Sequence, residues 1–238
     1  MKWEIICFDL DNTIINYEKT FERTMTYCLA LLLAENKSQQ EISITQWFTI
    51  FKKYCDLYWP AYSQKAMSRQ EYRRARFISS MEELGIRTTI HQADRLQELF
   101  HKHVAQFVVP FKGIETMLEW LKLSGKKLGI ITNGNSEIQY NKLKKAGLYP
   151  FFESIIISDA VKVAKPSAQI FDIAKERLGT KNDRCVYVGD SWELDVEGAT
   201  NAKWDAIYFN TRNEKPVMQK GTSIEVRSVS ELSNLLLK

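Results

Sequence analysis

Short, continuous apolar runs punctuate the chain at 3–8, 126–132, 154–158, 184–188 and 204–209. Each is rich in Ile, Val, Phe, Tyr and Leu and is bounded by turn residues. Runs of this length predict strands, and their lack of polar alternation predicts a sheet covered on both faces. Helical periodicity fills most of the intervals, at 113–124, 136–146, 167–178 and 192–201. Gly125, Gly147 and Gly179 each follow such a stretch, where a left-handed C-terminal cap is expected. Strands alternating with helices predict an α/β fold built on a doubly wound parallel sheet. The tail, 222–238, predicts a last short strand and a closing helix.

Residues 16–108 break this alternation. No strand pattern occurs there, while Phe21, Met25, Cys28, Leu29, Leu32 and Leu33 mark one face of an amphipathic helix. Further helices are predicted at 44–59, 69–84 and 91–107. A strand-to-helix loop of about 2–6 residues cannot hold such a block. The expectation is an all-helical cap domain over 16–109, inserted into a core formed by 1–15 and 110–238, with hinges near Ile15–Glu18 and Val109–Gly113. Trp47, Tyr58, Trp59 and Tyr62 sit at helical spacing in the cap and are expected in its core, with stacking on a ligand ring as the alternative. Arg69, Arg73, Arg74 and Arg76 predict a solvated face with one or two contacts to the core domain.

Composition adds mainly exclusions. Of 238 residues, 45% are hydrophobic and 26% charged, enough for a sizeable core. The net charge of +4 is mild and gathers into no long basic run, so a nucleic-acid polymer is not an expected partner. No stretch approaches the ~20 apolar residues that span a bilayer, and no basic region precedes an apolar run and cleavage site at the N-terminus. The expectation is a soluble, cytoplasmic protein without a membrane partner. Cys7, Cys28, Cys55 and Cys185 form no CxxC pair and read as structural thiols. His101 and His103 lie two apart on a predicted helix and face different ways, which disfavours shared metal ligation.

In open parallel sheets, ligands bind beyond the carboxyl ends of the strands. The first strand ends in Asp9-Leu10-Asp11-Asn12-Thr13. If extended geometry persists that far, positions two apart face the same side and both acids aim at one spot. The second ends in Ile131-Thr132-Asn133-Gly134. The fourth ends in Val188-Gly189-Asp190-Ser191, with Asp195 five residues past Asp190. Lys165-Pro166 precedes the helix at 167–178, so its ammonium is within reach of the same edge. Singly, each has a plain reading: strand-end acids serve turns, a first-turn acid such as Asp195 complements a helix dipole, and Thr132 and Lys165 could close a turn or face solvent. Together they place four carboxylates, one ammonium and one hydroxyl at one rim. Two like charges ~4 Å apart repel by about 4 kcal/mol at an effective dielectric of 20. A divalent cation relieves that repulsion, and all-oxygen donors point to Mg²⁺. Such a cation with open positions suits a phosphate group. One acid would attack phosphorus and form an aspartyl-phosphate. Another would protonate the leaving alkoxide and then activate water, while Thr132 and Lys165 hold the phosphoryl oxygens.

The order DxDxT, strand-end Thr132, Lys165-Pro166, then GDxxxxD at 189–195 resembles the haloacid dehalogenase-like (HAD) hydrolase superfamily over nearly the whole chain. The resemblance implies a Rossmann-like core with a C1-type helical cap. It implies Asp9 as nucleophile and Asp11 as general acid/base. It implies Mg²⁺ held by Asp9, Asp190 and the carbonyl of Asp11, with Asp195 orienting the metal's water or Lys165. Thr132, Asn133 and Lys165 are the implied substrate-binding residues. The family's dehalogenases lack the second aspartate, since a halide needs no proton, so Asp11 implies a phosphatase. The stretches TNGNSEIQYNKLKKAGLYPFFE (132–153) and VGDSWELDVEGA (188–199) are similar to bacterial pyrimidine 5′-nucleotidases, which clear nucleoside monophosphates. Ser167 departs from an aspartate common in relatives, but lies outside the charge-bearing set. The implied reaction is Mg²⁺-dependent hydrolysis of a small phosphorylated metabolite, a nucleoside 5′-monophosphate among the candidates. The alternatives are a sugar-phosphate phosphatase or phosphomutase of the same superfamily, or, in another class, a phosphoaspartate signalling module. Substrate and oligomeric state are open at this point.

Overall fold

The computed structural model describes residues 3–36, 42–179, 184–214 and 224–238. Strand β1 (Ile5–Phe8) is followed by four long helices, α1 (Tyr17–Glu35), α2 (Ile44–Ser63), α3 (Arg69–Glu82) and α4 (Ile90–His103). Then come α5 (Ile114–Leu123), β2 (Lys127–Thr132), α6 (Ser136–Lys145), β3 (Ser154–Ile157), the short α7 (Ser158–Val161) and α8 (Ala168–Leu178). The chain continues with β4 (Cys185–Gly189), a π-helical segment (Trp192–Glu197), α9 (Gly198–Asn201), β5 (Asp205–Phe209), β6 (Ile224–Val226) and α10 (Val229–Leu236). The expected tail strand thus starts at Ile224 among the described residues, and 222–223 lie outside them.

The chain forms two compact units, Met1–Glu18 with Val108–Lys238, and Lys19–Phe107. In the first, six strands make one sheet in the order β3-β2-β1-β4-β5-β6. Every pairing is parallel, as the α/β pattern predicts. Alternation along the strands builds two separate core layers. Ile6, Phe8, Leu128, Ile130, Val186 and Val188 pack beneath α5 and α10 through Leu118, Leu121 and Leu232. Ile5, Cys7, Ile131, Cys185, Tyr187 and Tyr208 pack on the other face against Phe171 and Ala174 of α8. Because both faces are covered, the strands read as unbroken apolar runs. Gly125, Gly147 and Gly179 take φ values of 74°, 73° and 61°, the left-handed geometry expected after α5, α6 and α8.

The chain leaves and re-enters this unit through paired segments. Ile15 bridges Pro110 in antiparallel fashion, Asn16 N–H donates to Val109 O at 2.8 Å, and Phe111 N–H donates to Ile14 O at 3.0 Å. The predicted helix at 91–107 is interrupted: α4 stops at His103 and a 3₁₀ turn covers Val104–Phe107. α2 runs past Pro60 to Ser63, because Pro60 O and Ala61 O still find donors in Gln64 and Ala66. Among the described residues no helix is long and apolar enough to cross a membrane. All four cysteines are free and buried. Burial pushes the Cys28 thiol up to about 12 and raises Cys7 and Cys55 as well, as inert structural thiols require.

The helical unit, Lys19–Phe107, settles several residues left with two readings. Ser68 and Thr89 close reciprocal capping boxes with Glu71 and Gln92 and so fix the starts of α3 and α4. Trp47 is fully buried, stacked on Phe51 at 4.8 Å, and its Nε1 donates to Ser80 Oγ at 3.1 Å. It is a core residue, and stacking on a ligand is excluded for it. Tyr62 stacks on Tyr72 at 5.0 Å, Tyr58 shares a hydrogen bond with Ser79 at 2.9 Å, and Trp59 remains exposed. Arg76 corrects the expectation of a solvated arginine face. Its guanidinium lies inside the unit, 4.8–5.3 Å from the ring centroids of Tyr72, Phe51 and Phe21, with Nη1 on Cys55 Sγ at 3.5 Å. A three-ring cage offers a desolvated cation its attraction without a carboxylate. Arg76→Ala should therefore lower the stability of this unit by about 2–4 kcal/mol in urea titration, through lost volume and lost cation–π contact. Arg76→Met, which keeps most of the volume, should cost less than half of that.

Candidate active site

The strand order reverses at β1: β2 lies on one side of it and β4 on the other. The carboxyl ends of β1 and β4 therefore flank the crevice in which such sheets bind ligands. Phe8 is in register with Val188 and Ile130, and Asp9 N–H donates to Val188 O at 2.9 Å. Thr132 and Asp190 thus leave their strands level with each other, one residue beyond Asp9 on the strand between them.

Lys165 ties the site together. Its Nζ donates to Asp9 Oδ1 at 2.7 Å, Asp195 Oδ1 at 2.6 Å and Tyr187 Oη at 2.9 Å. The loop carrying it is fixed by Asn133, whose Oδ1 accepts from Lys165 N–H at 2.9 Å and whose Nδ2 donates to Lys165 O at 3.1 Å. Asn133, a candidate for substrate binding in the sequence, thus commits both ends of its side-chain amide to positioning Lys165. Asp195 Oδ2 accepts from Ser191 N–H at 2.9 Å.

The predicted helix at 192–201 opens as a π-helix rather than an α-helix. Val196 N–H reaches back five residues to Ser191 O, and Asp195 is carried on this segment. A π-turn is a recurrent device for placing a functional side chain. Asp195 lies so close to β4 that a Cβ on Gly189 would stand 2.3 Å from its Oδ2. The glycine of the GDxxxxD stretch is therefore demanded by Asp195.

Asp9, Asp190 and Asp195 offer carboxylate oxygens within 4.8 Å of one another. Burial pushes Asp9 up to about 6, with Lys165 opposing and Asp195 reinforcing the shift. Burial, then repulsion from Asp9, pushes Asp190 up to about 8. Burial disfavours the charge on Lys165, but Asp195 and Asp9 together outweigh it and its pKa rises. An all-oxygen cluster strained by its own negative charge fits a hard divalent cation.

Asp11 takes a different course. The strand expected to run through residue 11 ends at Phe8; Ile14 and Ile15 both donate back to Leu10 O, Asp11 makes an isolated bridge to Ile15, and Asn12 adopts φ 59°. The Asp11 carboxylate is turned onto Lys142 Nζ, 2.8 Å from Oδ1 and 2.7 Å from Oδ2, instead of sharing one aim with Asp9. Gln139 Nε2 donates to Thr132 Oγ1 at 2.9 Å and lies 3.3 Å from Asp11 Oδ2. Arg212 Nη2 donates to Asp190 Oδ2 at 2.8 Å. The expected balance of four carboxylates against one ammonium is therefore corrected, because Lys142 and Arg212 stand beside Lys165. Sequence reading missed Gln139, Lys142, Tyr187 and Arg212. The first two, with Leu143, occupy the i, i+3, i+4 buried face of α6, the one pattern that could have separated Lys142 from the exposed lysines beside it.

A doubly wound sheet with carboxylates and a buried lysine at its switch point defines a Rossmann-like α/β hydrolase. The haloacid dehalogenase-like hydrolase family matches residues 3–203, and the chain belongs to it. Along its full length the chain is 30% identical to the pyrimidine 5′-nucleotidase YjjG of Escherichia coli, all of which is covered. It is 34% identical over 139 residues to the glyceraldehyde 3-phosphate phosphatase of Methanothermobacter thermautotrophicus, covering 57% of this chain and 61% of that one. The crystal structure of the Bacillus subtilis HAD-hydrolase YfnB bound to magnesium has the same fold, with a TM-score of 0.80 at 24% identity and 99% of each chain covered. The chain is accordingly an enzyme, a phosphatase of this family, and the reading as a signalling module falls.

Gly189→Ala tests the packing of the site. The added methyl must displace Asp195 and with it one anchor of Lys165, so stability should fall by about 1–3 kcal/mol. A urea titration compared with wild type measures the loss.

Proposed function

We propose that the chain hydrolyses phosphomonoesters of small metabolites, nucleoside 5′-monophosphates foremost, through a phosphorylated Asp9 and with Mg²⁺ as cofactor. The observation that carries this reading is the Lys165 ammonium fixed between Asp9 and Asp195 at the sheet's switch point, with Asp190 in the same oxygen cluster. Asp9 and Asp190 would hold the ion, while Asp195 is engaged by Lys165 and Ser191. Bound there, Mg²⁺ neutralises phosphoryl charge and so lets a carboxylate approach phosphorus.

In the first half-reaction an Asp9 carboxylate oxygen bonds to phosphorus as the phosphorus–oxygen bond to the leaving group breaks. The electron pair stays on the leaving oxygen, which takes a proton from the Asp11 carboxyl. In the second, water adds to phosphorus and gives its proton to the Asp11 carboxylate. The bond between Asp9 and phosphorus breaks, restoring the Asp9 carboxylate and releasing inorganic phosphate. Lys165, its three N–H groups engaged by Asp9, Asp195 and Tyr187, would supply positive charge beside the phosphoryl group, and the Thr132 hydroxyl a donor to its oxygens. Full-length similarity to a pyrimidine 5′-nucleotidase supports the nucleotide class. Similarity to a glyceraldehyde 3-phosphate phosphatase, over little more than half the chain, supports a triose-phosphate alternative.

The purified protein should release phosphate from pyrimidine nucleoside 5′-monophosphates, lose that activity in EDTA and regain it with added Mg²⁺. Asp9→Asn should reduce kcat by on the order of 10⁴-fold. Higher kcat/KM on triose phosphates would move the assignment to the alternative. No phosphate release across a panel of nucleotides and sugar phosphates would overturn both.

A further inference from the structure

We infer that Lys142 and Gln139 form a clamp on α6 that positions the Asp11 carboxylate for proton transfer; the inference rests on the proton-carrying role proposed for Asp11. Lys142 is a buried lysine with its side chain 4% exposed, and its ammonium meets both Asp11 oxygens. The Tyr17 ring covers the same ammonium, its centroid 4.9 Å from Nζ. Gln139, one turn earlier, is also buried and spans from Thr132 Oγ1 to Asp11 Oδ2.

A buried ion pair is often replaceable by apolar residues of similar volume with no loss, because desolvation cancels much of its attraction. α6 buries Gln139 and Lys142 beside Leu143 on the face where a helix of this fold ordinarily presents apolar side chains. What the two polar residues achieve is geometric. Asp11 sits past the end of β1, on a loop with a left-handed residue at Asn12; a single bridge to Ile15 holds its backbone, and its side chain is left to other partners. Two hydrogen bonds from one ammonium set the plane of the carboxylate, and Gln139 ties that plane to the hydroxyl expected at the phosphoryl group. Effective acid catalysis requires the proton to lie within hydrogen-bond reach of the leaving oxygen, so holding Asp11 in register with Thr132 acts directly on that step. Lys142 and Gln139 are thus positioning residues that work through Asp11.

The test uses leaving-group dependence. An alkoxide, as from a nucleoside 5′-monophosphate, needs a proton to depart, whereas nitrophenolate departs without one. The ratio kcat/KM reports steps through leaving-group departure. Lys142→Met should lower kcat/KM on a nucleoside monophosphate by about 100-fold and on nitrophenyl phosphate by less than about 5-fold. Lys142→Arg should recover part of the loss. In an Asp11→Asn background, Lys142→Met should add less than about 3-fold. Equal losses on both substrates, no loss on either, or a loss that multiplies with Asp11→Asn would overturn the inference while leaving the phosphatase reading intact. A crystal structure of Lys142→Met gives a readout independent of turnover. The Asp11 carboxylate should be displaced or occupy several orientations, and an unchanged single orientation would also overturn the inference. If Lys142→Met fails to fold, Gln139→Met carries the same comparisons, with a smaller loss of about 10-fold expected on the nucleotide.

Discussion

A single ammonium, that of Lys165, makes the carboxyl edge of this sheet possible. Asp9 and Asp195 are both buried, and its charge meets one oxygen of each. Three donors in one group meet two carboxylates and the Tyr187 hydroxyl, which itself donates to Ile131 O at 2.5 Å. The lysine therefore links the end of β1, the π-helical segment after β4 and the end of β2. Residues 156 and 30 positions away from it in sequence are brought within hydrogen-bond range.

The parallel sheet is what makes that convergence inexpensive. Every strand points the same way, so every strand-to-helix connection starts at one edge, and chemistry placed at those starts accumulates there. The helical unit interrupts the chain between β1 and β2 without disturbing the register of either. Its entry and exit segments pair with one another between Ile14–Asn16 and Val109–Phe111, so the insertion closes on itself and the strand geometry is preserved. The price of concentrating function at one edge is electrostatic, and the edge answers it with glycine at 189, a π-turn and three cations rather than one.

Sequence alone carried the fold class far. Continuous Ile- and Val-rich runs have no other economical reading than doubly covered strands, and they appear in the structure as the two layers split by alternation along β1 and β4. The acids, Thr132 and Lys165 were legible because each stands at a strand or helix boundary, where chemistry concentrates. Lys142 was not, since it belongs to the run KLKK, and charged runs on a helix ordinarily face solvent. Its neighbours Lys144 and Lys145 do so; a 100° step per residue decides which lysine turns inward, and composition is blind to that. Arg76 was illegible for the same reason within RRAR. The π-turn was hidden differently: α and π windings share nearly the same local pattern, and the close fit of Asp195 against Gly189 is a contact between segments that periodicity does not report.

The additional cations alter how the edge divides its labour. If all four carboxylates converged on one point, as extended geometry through Asp11 would require, a metal and a proton carrier would compete for the same oxygens. The left-handed turn at Asn12 and the ammonium of Lys142 instead separate Asp11 from the cluster of Asp9, Asp190 and Asp195. Arg212 meets one oxygen of Asp190, and Lys165 meets one oxygen each of Asp9 and Asp195. The Asp9 and Asp190 carboxylates and the Asp11 carboxylate are thereby met by different cations. The charge that holds Asp11 thus comes from α6, and the charge that holds Asp9 and Asp195 comes from the loop before α8.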